Sequence, residues 1–141
     1  MSQIVEFTPE YISAAMALWR RGDHIGLNEI DDQPSRLARF LRHNTGCSFV
    51  ALEASRLVGA TLCGHDFRRG AIYHLAVDSQ YRRRGLGREL ISASLSALRR
   101  AGIDKCHAMV FKDNPHAETF WSQEGWVLRE ELLLYSRHIN Q

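Results

Sequence analysis

Twelve residues, from Val77 to Arg88, join a strand end, a basic loop and a helix start: Val77-Asp78-Ser79-Gln80-Tyr81-Arg82-Arg83-Arg84-Gly85-Leu86-Gly87-Arg88. The first amides of a helix have no acceptor inside it and converge on one spot. The helix dipole adds partial positive charge there, and glycine lets a ligand approach the backbone closely. Arg82, Arg83, Arg84 and Arg88 add formal charge, and a guanidinium grips a phosphate through two parallel hydrogen bonds. Residue types and spacing together predict a site for phosphate oxygens.

Two common nucleotide loops do not fit. A Walker loop needs Gly-x-x-x-x-Gly-Lys-Ser/Thr, and the dinucleotide pattern Gly-x-Gly-x-x-Gly needs a third glycine where Leu90 stands. The run instead resembles motif A of the GNAT superfamily, the acetyl-CoA-dependent N-acetyltransferases. That motif reads Gln/Arg-x-x-Gly-x-Gly/Ala after a strand, and here it is Arg82-x-x-Gly85-x-Gly87, preceded by Leu75-Ala76-Val77-Asp78. A second stretch, Asn114-x-x-Ala117-x-x-Phe120-Trp121-x-x-x-Gly125-Trp126, resembles the same superfamily's motif B. The two motifs span residues 75–126; upstream, the resemblance extends to element order alone.

The resemblance implies roles. The backbone of Leu75, Ala76 and Val77 would pair with the pantetheine arm of acetyl-CoA like an added strand. Arg82, Arg83, Arg84, Gly85, Leu86, Gly87 and Arg88 would hold the pyrophosphate. Asn114, Ala117 and Trp121 would line the thiol end. The acceptor would be a primary amine of a small molecule or a protein, attacking the thioester directly, with the Leu75 N–H holding the oxyanion. No metal is implied. Many relatives carry a tyrosine general acid at the position of Trp121, and an indole has no usable acidic proton. Tyr73 is the first substitute, because period-2 alternation puts it on the face of Leu75 and Val77 and turns His74 the other way. A base relay of His65 with Asp66 is a second candidate, and Tyr135 a third.

The elements that must position these residues follow from pattern. Residues 4–7 read as a strand, and Thr8-Pro9-Glu10 as a helix start with Thr8 as N-cap. Ile12, Ala15, Met16 and Trp19 form its apolar stripe, and Gly22 ends it. Asp32 or Ser35 is expected to cap a second helix with Leu37, Phe40 and Leu41 on its buried face, stopped at Asn44-Thr45-Gly46. Three strands follow, over residues 48–53, 56–65 and 71–77. Their short connections favour antiparallel neighbours. Leu90, Ile91, Ser94, Leu95 and Leu98 give the helix after Gly87 its buried side, and Gly102 its stop. A strand over 105–111, a helix after Asn114-Pro115 and one or two final strands within 126–138 complete the order. The β-α-β step implies a local parallel pair. The predicted fold is α/β (α+β): a mixed, mostly antiparallel central sheet with helices on both faces. The resemblance adds that the parallel pair is splayed, and that all 141 residues form a single N-acetyltransferase domain.

The composition fits a globular domain, with 45% hydrophobic and 24% charged residues. A net charge of +2 gives no general reason to expect a nucleic-acid or membrane partner. Cys47, Cys63 and Cys106 are too few and too oddly numbered for a disulfide framework. The first seven residues show no signal-peptide pattern, and no stretch approaches a membrane span. A cytoplasmic monomer or homodimer is the expectation. The acidic stretch Asp23, Glu29, Asp31 and Asp32 lies in the expected acceptor region, where it would attract a cationic amine; Asp31 and Asp32 also fit as helix-start acids. Two other classes are weighed: a CoA-binding sensor without catalysis, and a nucleic-acid binder using Arg82–Arg88 with Arg99 and Arg100.

Overall fold

A computed structural model describes residues 2–22 and 25–140. They fall into two compact units, Met1–Met109 and Val110–Gln141. Asp23, part of the acidic stretch, lies outside the described residues.

The first unit is a five-stranded sheet with strands in chain order. Strands β1 (Ser2–Glu6), β2 (Phe49–Glu53), β3 (Arg56–His65) and β4 (Gly70–Val77) form antiparallel ladders, and β5 (Cys106–Ala108) joins β4 in parallel. Helices cover both faces. Helix α1 (Ile12–Arg21) and helix α2 (Pro34–His43) put Trp19, Leu18, Leu37 and Leu41 on Phe7, Val50, Ala60 and Leu62. Helix α3 (Leu86–Arg100) puts Leu86 and Leu90 on Ala51 and Val58 of the opposite face. Val50 and Ala51 thus point to opposite cores, as strand periodicity requires. β3 is buried over eight successive residues because it is covered on both sides. Ser94 lies on the buried side of α3 and donates to the carbonyl of Cys47 at 2.8 Å, so its hydroxyl is satisfied.

Several expected boundaries move. Thr8 does not cap α1: its hydroxyl donates to Glu10, and a single 3-10 turn, Pro9–Tyr11, precedes the helix. Gln33, not Asp32 or Ser35, is the N-cap of α2, with Pro34 in its first turn. Asp32 is drawn away by partners in space, described below.

The strand expected over 105–111 shrinks to Cys106–Ala108 because its ladder with β4 ends at the pair Ile72–Ala108. Just beyond, β4 has a bulge. Leu62 faces Tyr73 and Ala60 faces Ala76, so His74 and Leu75 together oppose Thr61. His74 carries the strain of the extra residue at φ 53°, a left-handed conformation uncommon for a residue with a side chain.

The second unit contains helix α4 (Pro115–Gln123). No strand forms in residues 126–140, against expectation. Val127, Leu128, Leu133, Leu134 and Tyr135 are all more than 70% exposed. Strand propensity expresses the fit of side chains to a packed pleated surface, and these side chains have none beneath them.

Candidate functional site

The site begins where β4 and β5 part. Gly70 donates its N–H to Lys105 on the β5 side, and Asp78 donates to Val58 on the β3 side. Counting in twos from Asp78, Ala76 also turns toward β3, while the amides of Leu75 and Val77 turn to the opposite edge. Among the described residues no strand pairs with that edge beyond Ile72. The splayed pair is therefore a strand edge of β4, open to an extended ligand. The Val77 carbonyl already accepts from Nε of Arg82 at 3.3 Å.

The edge leads into the basic loop through Asp78, which is 8% exposed. One of its carboxylate oxygens accepts from the Gln80 amide, closing the single 3-10 turn Ser79–Tyr81. The other meets Arg21 at 3.3 Å and Arg56 at 3.5 Å. These contacts tie the loop entrance to α1 and to the β2–β3 turn. Arg83 at φ 65° and Gly85 at φ 80° are both left-handed. Gly85 is the N-cap of α3 and offers no side-chain cap. The first intrahelical bond is made by the Glu89 amide to the Gly85 carbonyl. The space beside Gly85 is open, since a Cβ there would meet nothing within 4 Å. Arg84 lies over the Tyr81 ring, 4.9 Å from its centre. An uncapped helix start, exposed arginines and a vacant left-handed glycine fit a pyrophosphate. The open β4 edge upstream fits an amide-bearing arm.

The bulge rearranges the proton-transfer candidates. Leu75 and Val77 pack with Leu86 and Leu90 beneath α3. Tyr73, by contrast, sets its ring edge-on to Phe40 of α2, at 6.2 Å and 85°, and Phe40 packs with the α1–α2 core. Simple alternation would place Tyr73 with Leu75; the extra residue at the bulge puts the two on opposite faces. Burial pushes the Tyr73 phenol above its usual value, helped by the nearby Cys106 and Cys63 thiols. The phenol therefore stays protonated well past neutral pH. The His65–Asp66 relay does not form. His65 Nδ1 accepts from the Phe67 amide, and the Asp66 carboxylate accepts from the amides of Arg68 and Arg69. Those backbone bonds hold Asp66 below the usual carboxylate range.

His74 also lies on the α1–α2 face. Its Nδ1 is 3.0 Å from the Ile25 carbonyl and its Nε2 is 3.0 Å from an Asp32 oxygen. Its ring packs on Trp19, with centres 5.2 Å apart. Sequence alternation turned His74 toward a helix-covered face but gave no signal for these bonds, because both partners are more than 40 residues away.

In the second unit, Asn114 caps α4 by accepting from the Ala117 amide at 3.3 Å. The helix ends in a paired closure: Gly125 at φ 87° donates to Ser122, and Trp126 donates to Trp121. The rings of Trp121 and Trp126 meet at 4.6 Å. The spacing Trp121-x-x-x-Gly125-Trp126 is thus a helix-stop motif with its usual apolar contact, and Trp121 has a packing role in it. Tyr135 is 86% exposed.

Comparison with known proteins agrees with this geometry. The sequence profile of the acetyltransferase (GNAT) family matches residues 13–126. An acetyltransferase of Sodalis glossinidius is 29% identical over 97% of this chain and 95% of its own length. An acetyltransferase of Pectobacterium atrosepticum is 33% identical, covering 77% and 75%. N-alpha-acetyltransferase 30 of Schizosaccharomyces pombe is 32% identical over 62% of each chain. Among solved structures, the acetyltransferase AAC(6')-Iy, in complex with a CoA bisubstrate analogue, superposes with a TM-score of 0.81 at 14% identity, covering 98% and 99%. Ard1 from Thermoplasma volcanium gives 0.79 at 23% identity, covering 91% and 84%. The family match extends over most of the chain, through both motifs, and the chain belongs to the acetyltransferase (GNAT) family, whose acyl donor is acetyl-CoA.

Proposed function

We propose that this N-acetyltransferase acts on a primary amine and that the α-amino group of a protein N-terminus is the acceptor class it suits best. The observation that carries the cofactor part is the open β4 edge at Leu75 and Val77, continuous with the uncapped start of α3 at Gly85. The acceptor class is supported by the N-alpha-acetyltransferase relatives, 32% to 33% identical. The aminoglycoside acetyltransferases among the structural neighbours share the fold at 14% to 20% identity, which gives a small-molecule acceptor less support.

When bound, acetyl-CoA supplies an acetyl group activated as a thioester. Leu75, Ala76 and Val77 offer backbone groups to its arm. Arg82, Arg83, Arg84, Gly85, Leu86, Gly87 and Arg88 would hold its pyrophosphate, and by the family resemblance Asn114, Ala117 and Trp121 would line the thiol end. Transfer forms a C–N bond and breaks a C–S bond, so the amine loses one proton and the sulfur takes one. The Leu75 N–H holds the oxygen that becomes negative, a contribution of about 3 kcal/mol for such a donor in a dry site. Tyr73 carries a phenol on the α1–α2 face, the face that segment 25–32 also covers, and would serve as the acid that Trp121 cannot be. Glu29 and Asp31 are exposed on the segment 25–32 and draw a cationic amine toward it. No described helix is long and apolar enough to cross a membrane. The reading needs neither a membrane nor a nucleic acid, and places a monomer or homodimer in the cytoplasm.

Thiol release from acetyl-CoA, followed with a panel of N-terminal peptides, polyamines and aminoglycosides, tests this. Peptides with free α-amino groups should turn over best, and their N-acetylated forms not at all. Turnover confined to polyamines or aminoglycosides would overturn the acceptor assignment. CoA binding without turnover on any amine would favour the sensor reading.

A further inference from the structure

The bulge that turns Leu75 to the open edge also ties down the segment 25–32. His74 reaches that segment twice, through the Ile25 carbonyl and the Asp32 carboxylate, both at 3.0 Å. A carbonyl only accepts, so Nδ1 carries a proton. Nε2 lies within hydrogen-bond distance of the Asp32 carboxylate. Asp32, 8% exposed, uses its other oxygen to accept from the Asn28 amide at 2.8 Å. Asn28 in turn accepts the amides of Ile30 and Asp31 with its side chain and that of Asp32 with its carbonyl. Trp19 of α1 closes the other side of the imidazole. A single side chain of β4 is thereby the hub from which an otherwise irregular segment is organised.

The position of His74 matters as much as its bonds. It is the left-handed residue of the bulge, next in sequence to Leu75, whose N–H faces the edge. Any shift of segment 25–32 is therefore transmitted to β4 one residue from that donor, and any loss of the bulge releases the segment.

We propose that His74 and Asp32 form a positioning pair that sets segment 25–32, as the wall of the acceptor site, against the β4 bulge. The pair determines how well the acceptor amine is held and touches neither cofactor nor reacting atoms. This rests on the reading of 25–32 as the acceptor wall.

Two variants and their combination test it. His74→Gly keeps the left-handed backbone, which glycine adopts at no steric cost, and removes the tether. Asp32→Ala removes the tether from the other side and leaves β4 unaltered, so the test survives if His74→Gly folds poorly. Hydrogen exchange at the amides of residues 28–32, read without substrate, should quicken in both variants. With the acceptor found in the panel, KM for the amine should rise about tenfold or more. The affinity for CoA by calorimetry should stay within about twofold. Because the two residues act as one unit, the double variant should be no worse than the poorer single one.

Unchanged exchange at 28–32 would refute the tether itself, whatever the acceptor. Faster exchange with an unchanged acceptor KM would show the tether to be structural only and overturn the positioning role. A parallel fall in CoA affinity would point to general loosening and overturn it as well. Failure of the acceptor reading alone would appear differently: no amine in the panel would turn over in the parent protein, while the exchange result would still stand.

Discussion

Gly85→Ala, set beside Gly102→Ala, isolates the phosphate role of the basic loop. Gly85 is left-handed at φ 80° and ψ 10°, and a methyl there would meet no atom within 4 Å. Its folding cost is therefore conformational, about 1 kcal/mol for a side chain held in that region, or about 3 °C in Tm for a chain of this size. Gly102, at the far end of the same helix, is left-handed at φ 83° with equally empty surroundings, so its alanine variant should cost the same. The two differ in what the empty space accommodates. At Gly85 the methyl stands beside the first amides of α3, where an anion's oxygen must come within about 2.9 Å of nitrogen. Losing one hydrogen bond to a charged group costs about 1.5 to 3 kcal/mol, or roughly tenfold to 100-fold in Kd. Calorimetric titration with CoA and a thermal melt on each variant give both numbers. Matching melts with weakened CoA binding in Gly85→Ala alone is the expected result. Equal CoA affinity in the two variants would remove the pyrophosphate from this loop.

Other outcomes follow from the same geometry. Tyr73→Phe should lower turnover and abolish the alkaline limb of the rate profile. The phenol is the active form as long as it is protonated, and its raised pKa keeps it so until pH climbs past the usual value near 10; an identical profile in the variant would dismiss Tyr73 as the acid. Trp121→Phe should retain most activity, because an aromatic contact with Trp126 is what the helix stop uses; loss of turnover with CoA binding and stability intact would instead assign the indole a chemical role. Iodoacetamide should modify Cys106 first. A hydrogen bond from Cys63 lowers its pKa, whereas Cys63, through that same bond and burial, and Cys47, through burial, are raised; early labelling of Cys47 or Cys63 by mass spectrometry would contradict this. Leu90→Ala should cost about 2 to 5 kcal/mol by denaturant titration, since Leu90 is fully buried between α3 and the sheet.

The sequence alone determined the features that rest on local chemistry. The spacing Arg82-x-x-Gly85-x-Gly87 marks a helix start suited to an anion, because unpaired amides and glycine freedom are properties of a few adjacent residues. Asn114 as a cap and Gly102 and Gly125 as helix stops were legible for the same reason, as were the amphipathic stripes of α1, α2 and α3. The antiparallel meander of β2, β3 and β4 and the parallel step at β4 and β5 followed from connection lengths and the β-α-β rule, whereas the pairing of β1 with β2 did not.

Tertiary structure decided what depends on distant partners. One extra residue opposite Thr61 puts Tyr73 and Leu75 on opposite faces, and no local pattern announces a bulge whose left-handed residue is a histidine. Asp32 is a helix-start acid by sequence. In the fold it is nearly buried against His74, an imidazole 42 residues away, and Gln33 takes the N-cap of α2. Residues 126–138 have the apolar and aromatic content of a strand and form none, since a ladder requires a neighbouring backbone and propensity cannot supply one. Local chemistry thus locates the proposed cofactor loop, while the proposed acceptor side is assembled from contacts that only the folded chain creates.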